Sequence, residues 1–314
     1  MNNLKKVLVI GYPGWLSAIL VEKLLKCGFY IRVGVLSKDD VDRADIEVVE
    51  CDLTKKDQIK SAIADVDYVV NCAGVIHPKK ISDYYAVNDI GVSNLVEICN
   101  IYKVKKLIHI STNAVAGKSN DNSVRNEESP GEPLCHYGKS KYNGELNIIN
   151  GCTIPYVILR PCMFYGQNPP QRHKNIYNII KLGIFPIFGS GNYLRSVTSV
   201  DNLADAVISA INFEISNEIF YICDSDIYTT RSIIIGMGDA VGIRIRLIRL
   251  PQFIAKLAYF LDYFLQNIGL YSTKLHLIGE SDWSVGFSNK KSKDMLKINY
   301  DSESYISKLK KIIF

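Results

Sequence analysis

Lys6-Val7-Leu8-Val9-Ile10-Gly11-Tyr12-Pro13-Gly14-Trp15-Leu16-Ser17 joins an apolar, β-branched run to a glycine-framed break and to a helical pattern continued by Leu20 and Leu24. It reads as strand, tight turn and helix. Gly11 makes the turn, and Gly14 lets backbone amides approach a pyrophosphate at the positive end of the helix. Ser17 stands where a dinucleotide fingerprint carries its third glycine, and it is small enough to keep helix and strand close. Trp15 and Leu16, the first helical residues, complete this candidate cofactor-binding turn.

The alternation continues outward from that stretch. Gly28 ends the first helix, and strands are expected at 31–36, 46–51, 68–72, 106–111 and 156–159, with helices at 56–64, at about 83–102 and across Tyr137. Strands alternating with helices at this spacing predict an α/β protein with a doubly wound parallel sheet of the Rossmann kind. After Pro161 the rhythm changes, and the Pro169-Pro170 and Gly189/Gly191 pairs frame a mixed segment. The expected division is a dinucleotide-binding domain of residues 1–165 plus about 195–223. About 166–194 plus 224–314 then form a smaller mixed substrate lobe. Residues 253–265 are apolar around most of a helical circumference, which favours core burial over an oligomer contact or a membrane-surface patch.

Composition narrows the functional classes. The chain has 314 residues, 47% of them apolar and 22% charged, as in a folded globular protein. Its longest apolar segment, residues 253–270, is interrupted by Lys256, Asp262 and Gln266 and is a poor spanning helix; no transmembrane segment is expected. Met1 to Lys6 run straight into the first strand with no small-residue cleavage signal, so export is not expected. Eight cysteines without a Cys-x-x-Cys pair argue against a metal site or a disulfide framework and for a cytoplasmic location. The net charge of +5, without a basic stripe, does not indicate nucleic acid.

Tyr137-Gly138-Lys139-Ser140-Lys141 places a phenol and an ammonium one helical turn apart on a shared face. Tyrosine normally titrates near pH ~10, and a neighbouring ammonium pulls that value down, which makes the phenol a usable acid/base. At the end of the second strand stand Ser37 and Lys38, with no carboxylate before Asp39. They suit a 2′-phosphate, so NADP is favoured slightly over NAD, against the plain alternative of solvated loop residues.

With these features come Cys51-Asp52-Leu53, Asn71-Cys72-Ala73-Gly74, Ser111-Thr112-Asn113-Ala114-Val115-Ala116-Gly117, Leu159-Arg160-Pro161 and Tyr165-Gly166. In this order the chain resembles the extended short-chain dehydrogenase/reductases, the group of nucleotide-sugar epimerases, dehydratases and reductases. The resemblance runs through Ser292-Lys293 and Ile298-Asn299-Tyr300. It implies that Asp52 and Leu53 border the adenine, that Ala73 and Gly74 line the cofactor cleft, and that Pro161 and Cys162 lie near the nicotinamide. Thr112 would bond the reacting oxygen, Tyr137 exchange the proton, and Lys141 hold the nicotinamide ribose. The family's sugar dehydratases carry an acid pair where this chain has Asn113-Ala114, so dehydration is disfavoured.

Arg195 resembles the arginine placed against the diphosphate by nucleotide-sugar members, and a guanidinium suits that task. An ion pair with Asp201 or a solvated loop is its plain alternative. Asn168, Arg172 and Lys174 are read as ordinary surface residues in preference to phosphate or uracil contacts, and His136 is declined as catalytic. The resemblance implies an NAD(P)-dependent epimerase or 4-keto reductase for a UDP- or other nucleotide-sugar, serving cell-surface polysaccharide synthesis. It also implies a homodimer through the helices at about 83–102 and 137–150. The alternatives are a reductase or dehydrogenase of an apolar alcohol or ketone, like the hydroxysteroid and dihydroflavonol members, and a non-catalytic dinucleotide-binding regulator.

Overall fold

The structure, a computed structural model, describes residues 5–313 apart from 77, 79, 120 and 301–303. Its strands are β1 (Lys6–Ile10), β2 (Tyr30–Val35), β3 (Glu47–Glu50), β4 (Tyr68–Asn71), β5 (Lys106–Ile110), β6 (Tyr156–Pro161), β7 (Met163–Tyr165), β8 (Ile184–Phe188), β9 (Leu194–Ser199), β10 (Glu218–Ile222), β11 (Ile227–Thr229) and β12 (Arg246–Leu250). Seven form one sheet in the order β3-β2-β1-β4-β5-β6-β10, and every neighbouring pair is parallel. Strand order reverses between β1 and β4, which opens a crevice at their carboxyl ends. Val7 to Ile10 are fully buried, as expected of a parallel strand covered on both faces.

The helices are α1 (Trp15–Lys26), α2 (Lys56–Ile63), α3 (Ile81–Tyr85), α4 (Gly91–Tyr102), α5 (His136–Gly151), α6 (Gln171–Ile180), α7 (Val200–Asn212), α8 (Thr230–Ala240), α9 (Gln252–Asn267), α10 (Thr273–Gly279), α11 (Lys290–Leu296) and α12 (Tyr305–Ile313). In α1 the four-residue spacing of Leu16, Leu20 and Leu24 makes one buried stripe, and Gly28 follows with φ +81°, the left-handed conformation that ends helices. One face of the sheet is covered by α1 and α7; Leu296, Ile298 and Tyr300 belong to the same apolar cluster. The other face is covered by α2, α4 and α5 through Ile59, Leu95 and Ile148. A π-turn at Ala86–Ile90 joins α3 to α4 in one helical run.

Two small sheets accompany the large one. β7 pairs in parallel with β9, which pairs antiparallel with β11, while β8 pairs in parallel with β12. A third apolar cluster, including Tyr165, Tyr177, Ile187, Ile233, Met237 and Leu309, packs between them and α6, α8 and α12.

The expectation of core burial for residues 253–265 is overturned. Phe253, Leu257, Phe260, Leu261 and Phe264 of α9 are exposed, whereas Ala255, Ala258, Asp262 and Gln266 are buried. The inner face is polar because α10 offers it partners: Asp262 Oδ2 accepts from Gln266 Nε2 at 2.6 Å and lies 2.9 Å from His276 Nδ1. Small residues allow the close approach, since a Cβ on Gly279 would lie 2.8 Å from the Cα of Tyr259.

Candidate active site

The turn after β1 is shaped by its glycines. Gly11 has φ +92°, and a Cβ there would lie 2.7 Å from the amide nitrogen of Ala73; at Gly14 it would lie 2.8 Å from the Gly11 carbonyl. Neither position tolerates a side chain. Ser17 does more than stay small, because its hydroxyl donates to the carbonyls of Gly11 at 2.9 Å and Gly14 at 3.0 Å. Gly14 caps α1 without a side-chain hydrogen bond, so the first helical amides face the crevice uncapped, the usual arrangement for receiving an anion. Trp15 donates from its indole nitrogen to the carbonyl of Gln167 at 2.7 Å and packs against His173; Leu16 is buried. Glycine cradle and bare helix end fit a dinucleotide pyrophosphate.

Beyond β2, the Ser37 hydroxyl accepts from the Asp39 amide at 3.4 Å, and Lys38 is exposed. Asp52 accepts from the amide and hydroxyl of Thr54, and Leu53 is buried in the second apolar cluster.

After β4, the Ala73 amide donates to Asn71 Oδ1 at 3.1 Å. That commits the Asn71 carbonyl, so its amide group faces His109 Nδ1, 3.1 Å away, as the donor. The imidazole proton of His109 therefore sits on Nε2, which lies 3.3 Å from Lys141 Nζ. Lys141 in turn donates to the Ile110 carbonyl at 2.7 Å. Asn71 and His109 are fully buried and Lys141 nearly so. Burial, then the neighbouring Lys141, hold His109 well below its ordinary pKa, so it is neutral. Burial also brings Lys141 down to about 8, with Glu145 and Cys72 opposing the shift.

Asn88, in the π-turn, ties these parts together. Its Oδ1 accepts from the Val75 amide at 2.9 Å, and its Nδ2 donates to the Val75 carbonyl and to the Ser140 hydroxyl. A Cβ on Gly74 would lie 3.3 Å from Asn88 Oδ1 and 3.8 Å from Lys141 Nζ, so the loop after β4 presses against the lysine. Neither Asn88 nor His109 was singled out from the sequence, where each reads as an isolated polar residue, and Ser140 lay within the quoted 137–141 run without a role. Asn71 lay within a quoted patch, without a role.

Cys135 caps α5 through its Sγ, which accepts from the Gly138 amide at 3.4 Å. A Cβ on Gly138 would lie 2.6 Å from the Ala114 carbonyl, so this glycine lets α5 abut the short 3-10 turn Asn113–Ala116. Tyr137 and Thr112 are thereby held on touching elements. Thr112 is buried; its hydroxyl accepts from the Ala114 amide at 3.2 Å and lies 3.5 Å from Asn113 Oδ1. Tyr137 is half-buried, with its ring 5.8 Å from that of Tyr84. His136 turns away to Tyr85, whose hydroxyl is 2.7 Å from its Nδ1.

Pro161 ends β6. Cys162 is buried against Ala116, Tyr221, Cys223 and Phe287, and burial followed by the Cys223 thiol pushes its own thiol up. Arg195 makes no pair with Asp201, which instead meets Lys23 at 3.5 Å. Its Nε donates to the Thr230 hydroxyl and its Nη2 to the carbonyls of Glu280 and Ser281, just beyond α10. Asn168 and Lys174 are exposed, and the Arg172 side chain lies outside the described residues.

Comparison with known proteins identifies the family and the fold. The model of the NAD dependent epimerase/dehydratase family matches residues 7–223. The uncharacterized protein y4nL of Sinorhizobium fredii is 30% identical over 321 residues, 94% of this chain and 90% of its own. The 2-alkyl-3-oxoalkanoate reductase of Shewanella oneidensis is 26% identical over 219 residues, 64% of this chain and 56% of that protein. Among solved structures, the Bordetella bronchiseptica enzyme WbmG in complex with NAD and UDP superposes with a TM-score of 0.78 at 17% identity, covering 99% of this chain and 94% of that one; the likeness is one of fold.

Proposed function

This chain belongs to the NAD dependent epimerase/dehydratase family, and within it we propose an NAD(P)-dependent epimerase or 4-keto reductase that acts on a nucleotide-linked sugar. The observation that supports this reading is that the loop after β4 meets both the Gly11 turn, through Ala73, and Lys141 Nζ, through Gly74, with Tyr137 one helical turn from that lysine. A bound nicotinamide dinucleotide supplies or accepts the hydride. Gly11, Gly14 and the bare start of α1 hold its pyrophosphate, Asp52 and Leu53 border its adenine, and Ala73, Gly74, Pro161 and Cys162 line its path. Tyr137 passes a proton to or from the substrate oxygen, and Thr112 shares that oxygen by turning its hydroxyl outward. Lys141 holds the nicotinamide ribose and its charge favours the phenolate. Asn113 and Ala114 supply no further acid or base, so the chemistry stays at one carbon without loss of water.

Arg195 supports the nucleotide-sugar assignment, because its Nη1 has no protein partner among the described residues and is left for a diphosphate oxygen. The NAD and UDP of WbmG support the same pairing of ligands. Ser37 and Lys38 favour NADP. The free thiols of all eight cysteines suit a reducing cytoplasm, and exposed Ile101, Tyr102 and Ile149 on α4 and α5 provide a dimer face. A second reading, reduction of an apolar ketone, draws on the Shewanella oneidensis relative.

Thermal-shift titration with NAD, NADP, UDP, UDP-sugars and a steroid separates these readings. Mutual reinforcement between a dinucleotide and a UDP-sugar is expected. Stabilisation by the steroid and none by UDP would overturn the sugar assignment. Tyr137→Phe should keep dinucleotide binding and lose most turnover; undiminished turnover removes Tyr137 from the mechanism.

A further inference from the structure

Helix α9 is turned inside out relative to an ordinary packed helix. Phe253, Leu257, Phe260, Phe264 and Ile268 follow one another at spacings of four, three, four and four, a single stripe along the helix. Phe260 is 67% exposed and Phe264 61%, and Leu261, Leu270 and Leu277 add exposed apolar surface beside them. The rotation of the helix is fixed from within: Asp262 accepts from Gln266 and meets His276 of α10, and turning the stripe inward would break both contacts.

Exposed cations outnumber carboxylates around this stripe, where Asp282 is held by Gln252 of α9 at 3.0 Å and Glu280 lies 3.5 Å from His276. Between Arg244 and Gly279 the exposed charged residues are Arg244, Arg246, Arg249, Lys256 and Lys274, and the carboxylate in that span, Asp262, is buried. No helix among the described residues is long and apolar enough to cross a membrane. An apolar stripe flanked by cations on a helix too short to span is the arrangement that lies in the interface of an anionic bilayer. A second copy of the chain suits the face less well, since a two-fold contact would set these cations against their own equivalents.

We propose that α9 and its basic surroundings form a docking surface for an anionic lipid bilayer, which would place the active site at a membrane surface. Leaflet phosphates take up Lys256, Lys274 and the arginines around β12, while the phenylalanines enter the boundary between headgroups and acyl chains. This inference does not depend on which substrate the site takes.

Vesicle co-sedimentation of the full chain tests it. Vesicles of phosphatidylcholine with phosphatidylglycerol should bind the protein, phosphatidylcholine alone should bind it several-fold less, and raising salt should release it. Phe260→Ser combined with Phe264→Ser should weaken partition on the order of a hundredfold, while its thermal stabilisation by dinucleotide stays unchanged and shows that the fold is intact. Lys256→Glu with Lys274→Glu should act on the anionic vesicles alone. Absence of binding to anionic vesicles overturns the proposal, as does equal binding by the phenylalanine variant. A concentration-dependent dimer that the phenylalanine variant abolishes, without vesicle binding, assigns the face to a second copy and equally overturns it.

Discussion

Lys141→Met should stabilise the protein while ending its turnover. Burial brings the lysine from 10.5 to about 8, and a fall of that size corresponds to a penalty of ~3 kcal/mol for keeping the charge at pH 7. Methionine removes that penalty but leaves the Ile110 carbonyl without its donor, a loss of ~1 kcal/mol. A net gain of about 1–2 kcal/mol at pH 7 follows from the two terms. The sign against pH is fixed by linkage. Between about 8 and 10.5 the unfolded chain binds the lysine proton and the folded one does not, so the parent gains stability as pH rises through this window. The advantage of the variant should therefore shrink from pH 8 upward and give way, above 10.5, to a deficit of about 1 kcal/mol from the lost Ile110 bond. Urea unfolding of parent and variant at a series of pH values measures this difference. A variant less stable than the parent at pH 7, or a difference that ignores pH across the window, would refute the reasoning.

Other substitutions probe the remaining parts. Gly144→Ala brings a Cβ to 2.3 Å from the Asn88 carbonyl and should cost about 3 kcal/mol in urea unfolding and weaken dinucleotide binding. Gly151→Ala, also on α5, whose Cβ would meet Val96 of α4 at 3.6 Å, should instead be neutral or stabilise by up to about 1 kcal/mol. Glu145→Gln breaks a buried pair with Arg160 that closes at 2.6 Å; a loss of about 3–5 kcal/mol is expected, because the guanidinium stays buried with its counter-charge gone. Arg195→Ala should raise KM for a UDP-sugar with kcat little changed, and an unaltered KM would leave Arg195 as a strap on the end of α10 alone.

The fold was legible because its signals are local and repeated. Val7 to Ile10, the Gly11–Gly14 break and the Leu16, Leu20, Leu24 stripe each state one element, and the seven-stranded parallel sheet follows from their alternation. Candidate residues that sit in such signals could be read: Ser17 beside the turn, Tyr137 and Lys141 one helical turn apart. Asn88 and His109 could not, because their meaning lies in partners 13 and 52 residues away for Asn88 and 32 and 38 away for His109. Helix α9 misled for a related reason. Apolar content predicts burial only when a partner covers the face, and the partner of its inner face, α10, takes polar residues.

The π-turn at Ala86–Ile90 amounts to one residue more than an α-helix would use over the same length. A straight helix advances about 100° per residue, so that single residue sets the angular phase between the two ends of the run. Deleting one residue there would leave α4 seated on the sheet and swing α3 by about that angle. Tyr84 would leave the ring of Tyr137, and the carboxamide of Asn88 would leave Val75 and Ser140. The surplus residue thus works as a phase-setting device: it lets one stretch of helix serve the sheet at one end and the tyrosine at the other, which no uninterrupted 3.6-residue repeat could do.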